Sequence, residues 1–158
     1  FPSPAPSEKC PYSDPLSGAS VKLSTAAISA SLFIAPTASA ERASAIHKSH
    51  EAAIAWLDRV DSGQYAASWD HAAISFQHAI SKPRWVAQID ELRRPLGHVR
   101  ARRLKWANYT ETLPEMPSGQ YVVLEYETRF DNRVSATEKV TPVQNENGAW
   151  KVARYSIR

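Results

Sequence analysis

Apolar positions along the chain follow two different periods, and the change falls at Gly97. From Glu41 to Val60, Ile46, Ala53, Leu57 and Val60 form a stripe of helical period, interrupted by polar Ser49 and widened by Ala52 and Trp56. This predicts an amphipathic helix. Asp61-Ser62-Gly63-Gln64 supplies a carboxylate cap with a glutamine three positions on. A second helix is therefore expected to start there and to carry Tyr65, Trp69, Ala73, Phe76 and Ile80. A third begins near Ser81-Lys82-Pro83, where proline is tolerated in the first turn, and buries Trp85, Ile89, Leu92 and Leu96 before Gly97 ends it.

Beyond Gly97 the period is two. Val99 to Tyr109 alternates imperfectly, and the adjacent Arg102-Arg103 suggests a bulge. Leu113 to Gly119 makes a loop, after which Val122, Leu124, Tyr126, Thr128 and Phe130 line one face of a strand. Asp131-Asn132 turns the chain into a strand over Val134 to Val143. Asn145 to Gly148 turns it again, because Asn-Gly readily takes positive φ, and Trp150 to Ile157 closes an antiparallel meander. Helices followed by a run of strands imply an α+β fold, with three N-terminal helices packed on a curved four-stranded antiparallel meander, a cone-like shape.

The residues before Glu41 read differently. Residues 1 to 20 are rich in proline and serine with no apolar period, and are expected not to fold or to lie upstream of the translated frame, with Val21 as a start site. Lys22, the apolar run Leu23 to Ile34 and Ala38-Ser39-Ala40 match the regions of a secretory signal peptide spanning residues 21 to 40. Cleavage is expected between Ala40 and Glu41, which places the mature domain, residues 41 to 158, in the periplasm or outside the cell. The apolar run of about a dozen residues is short of the roughly 18 to 20 that cross a bilayer, so no integral membrane span is expected.

Cys10 is the one cysteine, and it lies in the leader. The mature domain then has no thiol for a disulfide, a thiolate metal site or a cysteine nucleophile. The formal net charge of +3 is too small to demand nucleic acid, and export makes that partner less fitting still. Five histidines raise the question of a metal. His47 and His50, and His71 and His78, share helix faces in pairs, but no third ligand or His-Glu-x-x-His run accompanies them. No metal and no cofactor is expected. Gly-x-Ser-x-Gly and glycine-rich phosphate cradles are absent, and Asp70 and His71, as neighbours on a helix, point apart.

The densest basic segment runs from Arg93 to Trp106. Guanidinium forks suit carboxylate or phosphate, and Trp106 offers a stacking face, so Arg93, Arg102 and Trp106 are candidates for binding an anion. The structural alternative has Arg93 or Arg102 paired internally with Glu125, Glu127 or Glu138, with Arg102 the better placed for it. Trp56, Trp69, Trp85 and Trp150 fall on core stripes and read as packing. In a curved sheet Tyr126, Thr128 and Glu138 are placed to line a pocket mouth, which adds Tyr126 and Glu138 to the candidate ligand-binding set.

Several segments occur in a characteristic order: Trp56-Leu57, Asp61-x-Gly63-x-Tyr65, Ser68-Trp69, Trp85, Arg93-x-Pro95-Leu96-Gly97-x-Val99-x-x-Arg102, Leu113-Pro114-x-x-Pro117-x-Gly119-x-Tyr121, Phe130, Glu138, Gly148-x-Trp150-x-Val152 and Tyr155. Together they resemble the bacterial family called domain of unknown function 4019. That resemblance implies an exported bacterial domain with no assigned reaction and no accepted catalytic residues. It also leads one to expect glycine before the last tyrosine, where this chain has Arg154. The architecture is similar to the nuclear-transport-factor-2-like cone, an analogy of shape alone. The expected function is a non-enzymatic binding or interaction module for a small anionic ligand or envelope partner, with pairing of two copies through the sheet as a further expectation. The alternative is a small-pocket hydrolase or isomerase using an Asp/His or Tyr/Glu pair inside the cone, with no catalytic residue assigned.

Overall fold

The computed structural model describes residues 37–158. The leader and most of the expected signal segment lie outside the described residues. Of the expected cleavage motif, Ala38, Ser39 and Ala40 form the first turn of a helix, α1 (Ala38–Asp61), whose N-cap Thr37 accepts a hydrogen bond from the Ala40 amide at 3.4 Å. None of the described helices is long and apolar enough to cross a membrane.

Two short helices, α2 (Tyr65–Asp70) and α3 (Ile74–Ala79), stand where one continuous helix is expected. The break has a cause in tertiary structure. The Ala73 amide leaves the helical ladder and donates to the carbonyl of Val152, on the last strand of the sheet, at 2.8 Å. At the break Gln77 Nε2 donates to Trp69 O at 2.9 Å, which also accepts from the Ala72 amide at 3.1 Å, and to Asp70 O at 3.3 Å. Asp61 is not the cap of this second segment. It is the last residue of α1, and α2 starts after Gln64 without a side-chain cap bond. The last helix, α4 (Lys82–Arg93), begins after Ser81 with Pro83 in its first turn, as the sequence predicts. Leu92 departs from the expected stripe and is 42% exposed, whereas Leu96, beyond the helix, is buried.

The sheet is an antiparallel meander in the order β1-β2-β3-β4, formed by β1 (Val99–Thr110), β2 (Tyr121–Phe130), β3 (Ala136–Gln144) and β4 (Trp150–Ile157). The fold class is thus the expected α+β, N-terminal helices on a four-stranded meander. The bulge expected at Arg102-Arg103 is elsewhere. Register shifts lie between Val99 and Ala101 and between Leu104 and Trp106, while Arg102 faces Thr128 and Arg103 faces Glu127 in regular register. Regular alternation sends the two arginines to opposite faces, Arg102 inward and Arg103 outward to Glu127. β3 starts two residues later than expected, and Val134 is exposed. Pro142, which cannot donate to a ladder, sits at the irregularity between β3 and β4 opposite Val152.

One core joins the layers. Ala53, Trp56, Leu57 and Val60 of α1 meet Val122, Leu124 and Tyr126 of β2, Val140 of β3 and Val152 of β4, with Phe76 and Trp85 closing it from the short helices and α4. A smaller cluster of Leu96, Phe130 and Ala136 seals the end where α4 turns into β1. The turn there needs Gly97, which has φ +76°, and a Cβ on it would come within 2.7 Å of Asp131 Cβ. Asp131 accepts from the His98 amide at 2.9 Å and from Arg100, so the β2–β3 turn is fastened to the α4–β1 turn.

Candidate functional site

Strand alternation and two helix ends converge on a polar cluster that is buried except at Asp61, which is 21% exposed. Thr128 of β2 and Glu138 of β3 face the helices, as does Arg102 of β1. Asp61 comes from the C-terminal end of α1 and Arg93 from the C-terminal end of α4. A carboxylate at a helix C-terminus opposes the helix dipole, so Asp61 needs nearby cations to be stable there. Arg102 Nη1 and Nη2 donate to Asp61 Oδ2 at 2.7 Å and Oδ1 at 3.1 Å, and Arg93 Nη2 donates to the same Oδ1.

Glu138 is fully buried and takes four donors. Arg93 Nη1 at 3.1 Å and the Tyr155 hydroxyl at 2.7 Å reach Oε1, while Arg102 Nε at 2.7 Å and Thr128 Oγ1 at 2.5 Å reach Oε2. Two guanidinium groups and two carboxylates cancel in charge, and every oxygen of the two acids is hydrogen-bonded, as burial of ions demands. Burial lowers the proton affinity of Arg102, but the hydrogen bonds it donates to Asp61 and Glu138, with their negative charge, outweigh it and hold the group above its usual range. The Tyr155 phenol is pushed well up by burial and then by the adjacent Glu138. The Arg93 guanidinium also lies over the Phe130 ring, 4.9 Å from its centroid.

Sequence reasoning brought Arg93, Arg102 and Glu138 forward, and the structure places these three together. Of the acids considered as partners, Glu138 serves both arginines, across the intervening strand, whereas Glu127 pairs outward with Arg103 and Lys105, and Glu125 with Lys139. Tyr126 and Glu138 are not at a pocket mouth. They are 1% and 0% exposed and lie in the interior between the sheet and the helices. The Tyr126 hydroxyl has no hydrogen-bond partner among the described residues, and its ring stacks on His50 at 5.8 Å. Burial, the leading cause, raises the Tyr126 phenol far above its ordinary value. Trp106 is 49% exposed, on the outer face opposite Glu125, apart from the other four. Asp61 and Tyr155 are the members that sequence reasoning did not assign. Asp61 read as a helix cap, and nothing local marks a residue whose partners lie in β1 and α4.

Next to this cluster lies a floor of aromatic rings. Trp85 packs edge-on to Phe76 at 4.9 Å, and Trp56 contacts Trp85 at 5.8 Å and Tyr155 at 5.4 Å. Both indoles are tied to one residue, Trp56 Nε1 to Ser68 O at 2.7 Å and Trp85 Nε1 to Ser68 Oγ at 2.9 Å. The floor opens into a groove of about 690 Å³ between α4 and β4. Trp85, Ile89 and Leu92 of α4, with Leu96 just beyond it, form one side, Tyr155 and Ile157 of β4 the other, and Arg133 its end. Among the described residues no three His, Cys, Asp or Glu side chains are grouped to hold a metal.

The family model described as "Protein of unknown function (DUF4019)" matches residues 52–155, which include every member of the cluster and most of the groove. The chain belongs to this family. In this DUF4019 domain the matched segment starts inside α1 and ends at Tyr155. A solved structure of a protein from Catenulispora acidiphila is similar over 73% of this chain and 91% of that chain, with a TM-score of 0.50 and 14% identity, a likeness of fold alone. No curated protein matches the chain. At the position where the resemblance suggests glycine, the DUF4019 domain has exposed Arg154, whose guanidinium lies 3.9 Å from Glu115.

Proposed function

We propose that this is an exported, non-enzymatic binding module whose ligand site is the groove between α4 and β4, and that it takes a small molecule or partner segment with an apolar body and an anionic end. The groove itself carries the reading. It is concave and apolar over most of its lining, with few polar groups, the composition of ligand sites generally. Its cationic end is Arg133, beside Leu96, because the neighbouring Asn132 amide donates to the Leu96 carbonyl at 3.0 Å. Glu91 on the α4 side disfavours a second negative charge along the body of the ligand.

The buried pair that an enzyme of this shape would use, Glu138 and Tyr155, favours binding over catalysis. A general base needs a free lone pair, and Glu138 already accepts four hydrogen bonds. A general acid works best with a pKa near the working pH, and Tyr155 is shifted away from it. The cluster reads instead as an internal tie that fixes both sides of the groove.

The test uses anilinonaphthalenesulfonate, an apolar anion, with decanoate as competitor. Leu92→Glu and Arg133→Glu, both at accessible positions, are each expected to weaken binding about tenfold or more while the circular dichroism spectrum is unchanged. Equal affinity in parent and variants would reject the groove as the site. Export is tested separately. Protein recovered from a bacterial periplasm is expected to begin at Glu41, and an N-terminal sequence that retains the apolar run overturns it.

A further inference from the structure

We propose that the occupant of the groove is an extended peptide that adds to the free edge of β4 as a further strand, with an acidic group at the Arg133 end. The inference rests on the groove being the binding site and names what it binds.

Thr137 and Arg158 exchange both main-chain hydrogen bonds, each at 3.0 Å. In an antiparallel ladder such pairs alternate with pairs whose N–H and C=O groups turn away from each other. Ile157 opposite Glu138 and Tyr155 opposite Val140 are pairs of the second kind. Their main-chain donors and acceptors therefore point outward from β4, which is the last strand of the sheet. Among the described residues no backbone group bonds to them from outside the sheet. Both residues line the groove, so unpaired main-chain groups stand beside an apolar trough. That combination suits strand addition, in which the main chain supplies hydrogen bonds and alternate side chains enter the trough.

The same edge is capped nearer its start. The Ala73 amide bonds to Val152 O at 2.8 Å, so the segment before α3 caps β4 at that point and separates its open C-terminal half from the start of the strand. This favours a short extended segment over the full strand of a second copy. A smaller hollow of about 250 Å³, lined by Phe76, Ala153, Arg154 and Tyr155 among others, continues the trough along that half. At the other end the Arg133 side chain makes one hydrogen bond among the described residues, Nε to Ser135 O at 3.3 Å. It has donors left for a carboxylate, from an acidic side chain or a peptide C-terminus.

The experiment measures binding of the full chain to a synthetic library of hexapeptides with Val, Leu, Ile or Phe at alternate positions and an acidic last residue. Library members are then remade with N-methyl groups on one or the other alternate set of main-chain nitrogens. Methylating the set that faces β4 is expected to weaken binding about tenfold or more, and methylating the other set to change it little. Ile157→Pro removes an outward N–H without breaking a bond to β3 and is expected to cause the same loss, whereas Ile157→Val is not. If Ile157→Pro fails to fold, the methylated peptides still decide. Equal affinity for both methylated sets, with decanoate bound in the same groove, overturns strand addition and leaves the binding site standing. Failure of peptides and decanoate alike overturns both. Sedimentation showing a dimer that Ile157→Pro dissociates and the peptides do not would assign the edge to a second copy and overturn the proposal.

Discussion

Arg102 clamps Asp61 with two hydrogen bonds, at 2.7 and 3.1 Å, and so joins the first strand of the sheet to the end of the first helix. Its Nε serves Glu138 as well, so one side chain holds two acids. Arg102→Ala leaves Glu138 in a fully buried site with one cation fewer. Breaking a buried pair by removing one partner costs about 3 to 5 kcal/mol, and that loss is expected here in urea unfolding. Burial shields the pair from ions, so the loss is expected to be similar at low and high salt. A variant as stable as the parent would show that the clamp contributes nothing to the fold.

Tyr126 and Tyr155 are both buried phenols with raised pKa values, but one hydroxyl has a partner and the other has none. Tyr126→Phe removes an unsatisfied group and is expected to be neutral or to stabilise by up to about 1 kcal/mol. Tyr155→Phe deprives Glu138 of a donor and is expected to cost about 1 to 2 kcal/mol. A raised phenol stabilises the fold fully below its unfolded value of 10.0, and that contribution is lost as pH rises from there toward the folded value. Either substitution is therefore expected to flatten the fall in melting temperature above about pH 10. An unchanged alkaline slope in both variants would contradict the burial of these hydroxyls.

At the opposite end of the pH scale, the Asp131 carboxyl is held below its usual range, first by the His98 amide and then by the His98 and Arg100 side chains. A lowered carboxyl contributes stability above its unfolded value near pH 4 and loses it as pH falls through the folded value. Asp131→Asn is expected to flatten the acid limb below about pH 4. A variant whose acid limb matches that of the parent would remove Asp131 from the acid response.

Gly97→Ala meets the same aspartate. The new methyl would lie within 2.7 Å of Asp131 Cβ, at a φ of +76° that alanine disfavours. A loss of about 1 to 3 kcal/mol is expected in thermal unfolding. Full stability would mean that the turn relaxes freely.

Trp85→Ala is expected to cost about 3 to 5 kcal/mol, since the ring is buried against Phe76 and Trp56 and its truncation leaves a cavity at the groove floor. Trp85→Phe keeps most of the packing and loses only the indole N–H that Ser68 Oγ accepts, and is expected to cost less. An unaltered melting curve for Trp85→Ala would place the ring outside the core.

The sheet was the more legible half of the sequence because its second strand alternates without interruption. Val122, Leu124, Tyr126, Thr128 and Phe130 all face inward in β2, as their spacing predicts. The same rule places Arg102 inward, and its internal pairing could be expected from that. Its partner lies two strands away, because Glu125 and Glu127 on the adjacent strand fall on outward positions. Less could be read where a distant contact overrides local pattern. The helical stripe through Ala73 is intact in sequence, yet Ala73 gives its amide to Val152 and the helix divides. Leu92 fits the stripe of α4 and still lies at a groove, since nothing in a helical period states whether a sheet covers that face.

The ion quartet of Asp61, Arg93, Arg102 and Glu138 also guards strand pairing. Arg93 and Glu138 are 45 residues apart in the chain, and Asp61 and Arg102 are 41 apart. Arg93, Arg102 and Glu138 cannot leave water at acceptable cost until α1, α4, β1 and β3 have met. A one-residue slip of β1 would turn Arg102 to solvent and leave Glu138 with fewer donors in an apolar interior. The quartet thus penalises misaligned collapse more than apolar residues of the same volume would.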